Sequence, residues 1–503
     1  MMRPHTRVLH DVIDEAARLR PGRPAVTDAT TTVSHRELAE ASVRTAHWLR
    51  RAGVRRGRRV VMRTPSSVLQ PVLVYAASRV GAMVSLLHEQ TGEPTLAHVL
   101  DDCEPDLLVT DTAAAAAHSR NIRVASTAEL AAAAFAPGLP DEAVRAEREP
   151  TLPVDPVLLI YTSGTTSFPK GVVSTHQQVL FAVEAIQSAL SYRESDVVYC
   201  PLPMSFDYGM YQLFLGAVSG ARVWLGRPAE AGPALLSQLL TTRATVLPAL
   251  PTVAEALVRL LGRHPGPAPC LRLLTSTGAA MPAPVLSALR AALPGLRVQL
   301  MFGLTECKRA TIAPPDADLE RPGTSGRALP GTEVFVVDDA GDRLPPGPVG
   351  QIVVRGPNVM AGYWRRPALT ESRFVRREGL FPELHTGDYG RLDEEGHLYV
   401  VGRRDDLYKE RGYRVSATEV EAAARRVPGV RSAAVLPPSA EHPAVLVAVT
   451  DQAPARVLDG MRGQIEVFKI PARCLVVDRL PVNGNGKVDR KRLAALVTEA
   501  DRA

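Results

Sequence analysis

Ile160-Tyr161-Thr162-Ser163-Gly164-Thr165-Thr166-Ser167-Phe168-Pro169-Lys170-Gly171-Val172 is the stretch on which the reading of this chain turns. An apolar strand, 157–160, runs into a loop of hydroxyl residues broken by one glycine and closed by Pro-Lys-Gly. Hydroxyls and free backbone N–H groups make a nest for an anion, and Lys170 adds a point charge suited to phosphate. This is not a Walker A loop, which needs Gly-Lys followed by Ser or Thr. The one Gly-Lys pair here, Gly486-Lys487, is followed by valine. The bland alternative is an ordinary Ser/Thr/Gly turn, and it has to be weighed against what the rest of the chain carries.

Upstream, strand and helix patterns alternate. Ser34-His35-Arg36-Glu37 has the form of a capping box, followed by the apolar stripe Leu38, Ala41, Ala46, Leu49 and Ala52 and a stop at Gly53. Strands are expected at 59–62, 82–87 and 106–110, with a helix near 68–80. Such alternation implies a largely parallel sheet packed with helices. The Ala-rich stretch 113–135 reads as a plain surface helix or linker. From about 331 to 399 short strands alternate with turns (334–337, 351–355, 397–401). Beyond Gly402 a small α+β unit is expected: strand 407–410, helix 417–426, strands 431–437 and 443–449, helix 455–466 and strand 474–478. The fold class is therefore α/β, with a large N-terminal domain (1–402) of mixed sheets and helices plus a β-rich subdomain, and a small α+β C-terminal domain (403–503).

The 503 residues suit two to four domains at ~100–200 residues each. Apolar residues at 46% and charged residues at 22% exclude a disordered or fibrous chain. The net charge of +6 is mild, with no block of five like charges, so no nucleic-acid partner is expected. Five scattered cysteines without a CxxC pair argue against a disulfide framework. The N-terminus lacks the apolar core of a signal peptide, and no run of 18 apolar residues exists. A cytoplasmic protein without a membrane span is expected. Only six lysines stand against 53 arginines, so a retained lysine is more often one the chemistry needs.

The loop Tyr161–Gly171 closely resembles the signature of the adenylate-forming superfamily, which includes acyl-CoA synthetases, stand-alone adenylation enzymes and firefly-type luciferases. Four further stretches resemble its motifs in the same order: Met301-Phe302-Gly303-Leu304-Thr305-Glu306, Leu384-His385-Thr386-Gly387-Asp388, Gly402-Arg403-Arg404-Asp405-Asp406 with Lys409-Glu410-Arg411-Gly412-Tyr413-Arg414, and Pro481–Arg490 around Lys487. The resemblance as a whole covers residues 30–495. Taken singly, Asp388 is a turn acid and Arg403 and Lys487 are surface charges; their order defeats that reading.

The resemblance implies ATP-dependent activation of a carboxylate as an acyl-adenylate with release of pyrophosphate. Thr162, Ser163, Gly164, Thr165, Thr166 and Lys170 are implied to hold the β- and γ-phosphates. Thr305 would meet the α-phosphate and Glu306 would ligate Mg²⁺ as a hard oxygen donor. Phe302 would stack on adenine beside the backbone of Gly278, Ala279 and Ala280, with Asp388 and Arg403 on the ribose. Lys487 would reach the reacting carboxylate. A hinge at Asp405 would then present the loop containing Lys409, Gly412 and Arg414 for attack by the thiol of CoA or of a pantetheinyl carrier protein. Only 16 residues follow Lys487, so a carrier is expected in trans.

Two departures from the family pattern stand out: Ser167 where glycine is commoner, and Phe302 where tyrosine is. The acid pocket is implied to include Phe206, Asp207, Tyr208, Met301 and Arg309. Asp207 suggests a substrate amine, its alternative being a helix N-cap acid. Lys308 and Arg309 could meet a second acidic group, their alternative being a solvated basic face. The leading expectation is an AMP-forming ligase that passes a small carboxylic acid to a thiol. The alternatives are a stand-alone amino-acid adenylation enzyme, an amide ligase or nitrite-activating diazotase, and a silent binding protein.

Overall fold

The computed structural model describes residues 7–112, 117, 120–138, 151–162, 169–264, 266–377, 381–403, 407–410, 413–439, 442–462, 464–465, 467–483 and 488–502. The described chain divides into two compact units, 1–334 with 353–385 and 335–352 with 386–503. In this division residues 335–352 and 386–402 fall in the second unit.

The first unit is built on two sheets. In the nine-stranded sheet, six consecutive neighbours run parallel: Arg297–Phe302, Leu273–Ser276, Val246–Ala249, Val197–Cys200, Arg222–Leu225 and Pro24–Thr27. Antiparallel strands close both edges. In the seven-stranded sheet, Pro156–Thr162, Met83–Leu87, Arg59–Arg63, Leu107–Thr110 and Arg123–Ala125 are parallel neighbours. There Lys170–Thr175 returns antiparallel to Pro156–Thr162.

The capping box at Ser34 forms as expected, with Ser34 Oγ accepting from Glu37 N at 3.2 Å, and the helix runs His35–Arg51. The helix Leu69–Val80 is buried at every position. A helix that is mostly apolar and buried on every side belongs inside a core rather than on a face, and here its apolar residues pack in the cluster that also holds Val60, Val84, Leu158 and Phe214. The Ala-rich stretch is not one surface helix. Its described part holds the edge strand Arg123–Ala125 and a short helix Thr127–Ala134, with Leu130 and Ala134 buried. Isolated alanines signal helix equally well with or without a packing partner, so propensity concealed the strand.

In the second unit Ser432–Leu436, Val445–Val449 and Arg473–Val476 form a sheet covered by the helices Ala417–Arg426 and Pro454–Met461. The last helix runs Arg490–Arg502, and its Leu493 and Val497 join a second cluster. The strands 407–410 and 413–416 pair as a hairpin. All five cysteines are free thiols. Among the described residues no helix is long and apolar enough to cross a membrane.

Candidate active site

The strands on either side of the candidate phosphate loop pair with each other. Tyr161 pairs with Gly171 and Thr162 with Lys170 across the antiparallel register. Ser163, Gly164, Thr165 and Thr166 lie outside the described residues. On the entering side, the Tyr161 hydroxyl donates to Asp102 Oδ2 at 2.8 Å. On the leaving side, His98 Nε2 donates to the Pro169 carbonyl at 2.9 Å. The Thr162 hydroxyl is buried without a hydrogen-bond partner among the described residues, as are those of Ser276 and Thr277 at the carboxyl end of the strand 273–276. Buried hydroxyls are normally satisfied. Orphans at the carboxyl ends of strands, where α/β sheets bind ligands, fit a polar occupant such as a nucleotide.

Lys170 and Glu306 come together here. Lys170 Nζ lies 3.4 Å from Glu306 Oε1. Beside both stands Tyr363, whose hydroxyl accepts from Lys170 at 2.8 Å and donates to Glu306 at 2.7 Å. Burial alone would raise the pKa of Glu306; the charge of Lys170 and the Tyr363 hydrogen bond outweigh it and hold the carboxyl below its ordinary value. Burial, with Glu306 beside it, pushes the Tyr363 phenol up, so it stays a donor. No group of three metal-ligating side chains occurs among the described residues. A lone ionised carboxylate fits Mg²⁺, which is often held by one or two carboxylates plus substrate phosphates.

Thr305 and Glu306 sit on a tight loop between the strands 297–302 and 311–312. A β-carbon at Gly303 would lie 2.1 Å from the Lys308 carbonyl, so only glycine allows this closure. Every carbonyl from 304 to 309 is bonded. Leu304 accepts from Cys307 N and Glu306 from Met360 N, at 3.0 and 2.8 Å. Thr305 accepts from Lys308 Nζ at 3.2 Å and Lys308 from Arg309 Nη1 at 2.8 Å. The Asn358 amide donates to the carbonyls of Cys307 and Arg309, at 3.0 and 3.2 Å. A loop so satisfied is pre-organised rather than adaptable.

Lys308 and Arg309 are not a solvated face: both are buried. Lys308 takes φ +61°, which aims its side chain inward to Ser174 Oγ at 3.1 Å and over the Tyr211 ring at 5.5 Å. Burial lowers its pKa to about 8, with Asp207 and Glu306 acting against that shift. Its amine is thus committed to the loop. Arg309 lies over Tyr208 at 4.6 Å and 3.3 Å from Asp207 Oδ2. Asp207 opens the helix Asp207–Ser219 but makes no capping bond; Phe206 is the N-cap. The Asp207 carboxylate also lies 3.5 Å from Thr305 Oγ1.

The remaining pocket residues are packed. The Tyr208 hydroxyl is committed to Thr275, Met301 and Phe302 are buried, and Phe206 is half-buried edge-on to Tyr208. Gly278, Ala279 and Ala280 are exposed after the strand 273–276, with Gly278 at φ +87°. In the second unit, buried Asp388 stands opposite Arg403 in the strand register, and Lys409 opposite Arg414. Asp405, Gly412 and Lys487 lie outside the described residues. The sequence did not reveal Tyr363, Asn358, Ser276 or Thr277. Tyr363 and Asn358 are lone residues without a spacing signature, far along the chain from the residues they bond, whereas Ser276 and Thr277 directly precede Gly278 and could have been found from that stretch.

A buried carboxylate beside a lysine, a rigid Thr-Glu loop and strand-end hydroxyls have the chemistry that a nucleotide site of the adenylate-forming kind needs. The family model for AMP-binding enzymes matches residues 13–364, and that for their C-terminal domain matches 419–487. The chain belongs to the AMP-binding enzymes. It is 32% identical over 490 residues to a feruloyl-CoA synthase from Amycolatopsis sp, covering 94% of this chain and 95% of that one. Among solved structures, ATP-bound MatB from Rhodopseudomonas palustris superposes with TM-score 0.84 at 29% identity, over 97% of this chain and 99% of that one. VinN in complex with L-aspartate gives 0.71 at 36% identity, over 79% and 99%. Within this family the chain is an AMP-forming acid–thiol ligase of the acyl-CoA synthetase kind.

Proposed function

We propose that this ligase uses ATP to adenylate a small carboxylic acid that bears an amino group, and then transfers the acyl group to a thiol of CoA or of a carrier-protein pantetheine. One observation carries the choice of acid: the buried Asp207 carboxylate lies beside Thr305, the residue assigned to the α-phosphate. An amine bonded to Asp207 therefore holds its own carboxylate next to the phosphorus it attacks. Asp207 and Arg309 set an anion and a cation side by side, a pair suited to an amino acid with a second carboxylate. The complex of the relative VinN with L-aspartate supports the same chemistry.

In this reading Lys170, Thr162, Ser163, Gly164, Thr165 and Thr166 bind the β- and γ-phosphates. Thr305 meets the α-phosphate, and Phe302 and the 278–280 backbone take the adenine. Asp388 and Arg403 bind the ribose, and Lys487 the reacting carboxylate. Glu306 and the phosphates would hold Mg²⁺, which neutralises charge on the triphosphate when bound. Two anions must meet, so aligned positive charge supplies most of the rate. The segment from 403 onward would turn at Asp405 to exchange Lys487 for the loop with Lys409, Gly412 and Arg414, a hinge transition.

The test is ATP–pyrophosphate exchange over a panel of acids matched with and without an amine, followed by acyl transfer to CoA and to carrier protein. Exchange with aminated acids is expected. Exchange with unaminated acids alone would overturn the amine, and no exchange with any acid would overturn adenylation. A product formed only with amines would overturn the thiol acceptor.

A further inference from the structure

Tyr363 belongs to none of the motifs, yet it touches the charged residue of two of them. Its hydroxyl is bonded on both sides, to Lys170 Nζ at 2.8 Å and to Glu306 Oε1 at 2.7 Å. The same ammonium stands 4.0 Å from the centroid of the ring, within the reach of a cation–π contact. The lysine and the carboxylate, left to themselves, would close into a direct ion pair at about 2.8 Å. With the phenol bonded to both, they stand 3.4 Å apart.

The phenol is held from several directions. Tyr363 pairs with Val172, two residues past Lys170, so one strand register fixes both side chains. Trp364 N donates to the Gly171 carbonyl at 2.8 Å. Tyr363 N donates to Thr370 Oγ1 at 3.0 Å, and its ring meets Phe374 edge-on at 5.6 Å. The side chain is buried. A hydroxyl so fixed cannot follow Lys170 if the lysine moves.

We propose that Tyr363 is a positioning residue for the triphosphate end of the nucleotide: it orients the Glu306 carboxylate and keeps Lys170 from collapsing onto it. When phosphate arrives, Lys170 exchanges one neutral acceptor for an anionic one. Glu306 keeps its phenol donor and loses no tight partner. The proposal rests on the ATP reading above, and its test separates the two.

Tyr363→Phe retains the ring and its contact with Phe374 and removes only the hydroxyl. Calorimetric titrations with ATP in the presence of Mg²⁺, and with AMP, give the readout. AMP lacks the phosphates that Lys170 would hold. The Kd for ATP is expected to rise about tenfold and that for AMP by less than about twofold, the scale of one lost hydrogen bond to a charged group. In a Lys170→Ala background the same change should cost ATP binding much less, because the two act as one unit. Thr370→Ala, which frees the Tyr363 backbone, should show a smaller bias of the same sign and serves if Tyr363→Phe does not fold. Equal weakening of ATP and AMP, unchanged ATP affinity, or full additivity with Lys170→Ala would overturn the proposal. A wild-type protein that binds neither nucleotide would instead overturn the ATP reading.

Discussion

Arg309 Nη1 stands 3.3 Å from Asp207 Oδ2 with both side chains buried, and the same carboxylate lies 3.5 Å from Thr305 Oγ1. Removing one partner strands a buried charge, which costs about 3 kcal/mol or more. Asp207→Ala should therefore lower the first thermal unfolding transition by several degrees. Asp207→Asn combined with Arg309→Met should recover most of that loss. Calorimetric scans of the three variants check this. Exchange assays on the stable double variant should show loss of activity with aminated acids; an unaltered acid preference would return Asp207 to a purely structural role.

Lys308 carries a second, pH-dependent signature. Burial holds its folded pKa at about 8, below the ordinary lysine value. Between about pH 8 and 10.4 the unfolded chain binds the extra proton, so this residue makes stability rise with pH across that window. Below it both states are protonated and the cost of burying the charge is fully present. The difference in thermal midpoint between wild type and Lys308→Met should move in favour of wild type as pH rises through the window. A constant difference from pH 7 to 10 would show that the amine is not desolvated.

His176 works at the other end of the scale. It opens the helix His176–Leu190, and its Nδ1 accepts from Leu9 N at 3.0 Å. Burial lowers its pKa to about 4. A neutral imidazole that resists protonation loses stability as pH falls from about 6.5 towards 4, since only the unfolded state gains the proton there. His35, lowered to about 4 by burial and by Arg20 and Arg23, adds to the same window. Substituting His176 by Gln should flatten the acid limb of the thermal midpoint curve between pH 6.5 and 4.

Lys487→Ala should separate the half-reactions. Adenylation is expected to fall by at least about a hundredfold, the scale of losing one aligned charge at a transition state. Thiol transfer from chemically supplied acyl-adenylate should be nearly retained. Stopped assays of pyrophosphate release and thioester formation measure the two steps separately. Equal loss in both would remove Lys487 from the first step alone.

The motif order, the strand that leads towards Lys170 and the capped helix at Ser34 could be read from sequence, because each is local: a cap, a short apolar run or a charge at fixed spacing. The elements from 407 to 476 were legible for the same reason, though the helix at 455–466 is shorter, Pro454–Met461. Distances across the chain were not legible. Tyr363 is 193 residues from Lys170 and Asn358 is 51 from Cys307; nothing in composition brings them together.

By itself the sequence showed the family's motifs in order, and so which groups to expect at such a site: hydroxyls, a lysine, the Glu306 carboxylate, and an Asp207 left open between a substrate amine and a helix cap. Only the tertiary structure decided how those charges are spent. It buried Lys308 to hold a loop, paired Arg309 with Asp207, and bonded one phenol to both Lys170 and Glu306. The physical reason is that a charge taken out of water must find its partner in space, and the fold, not the spacing along the chain, supplies that partner.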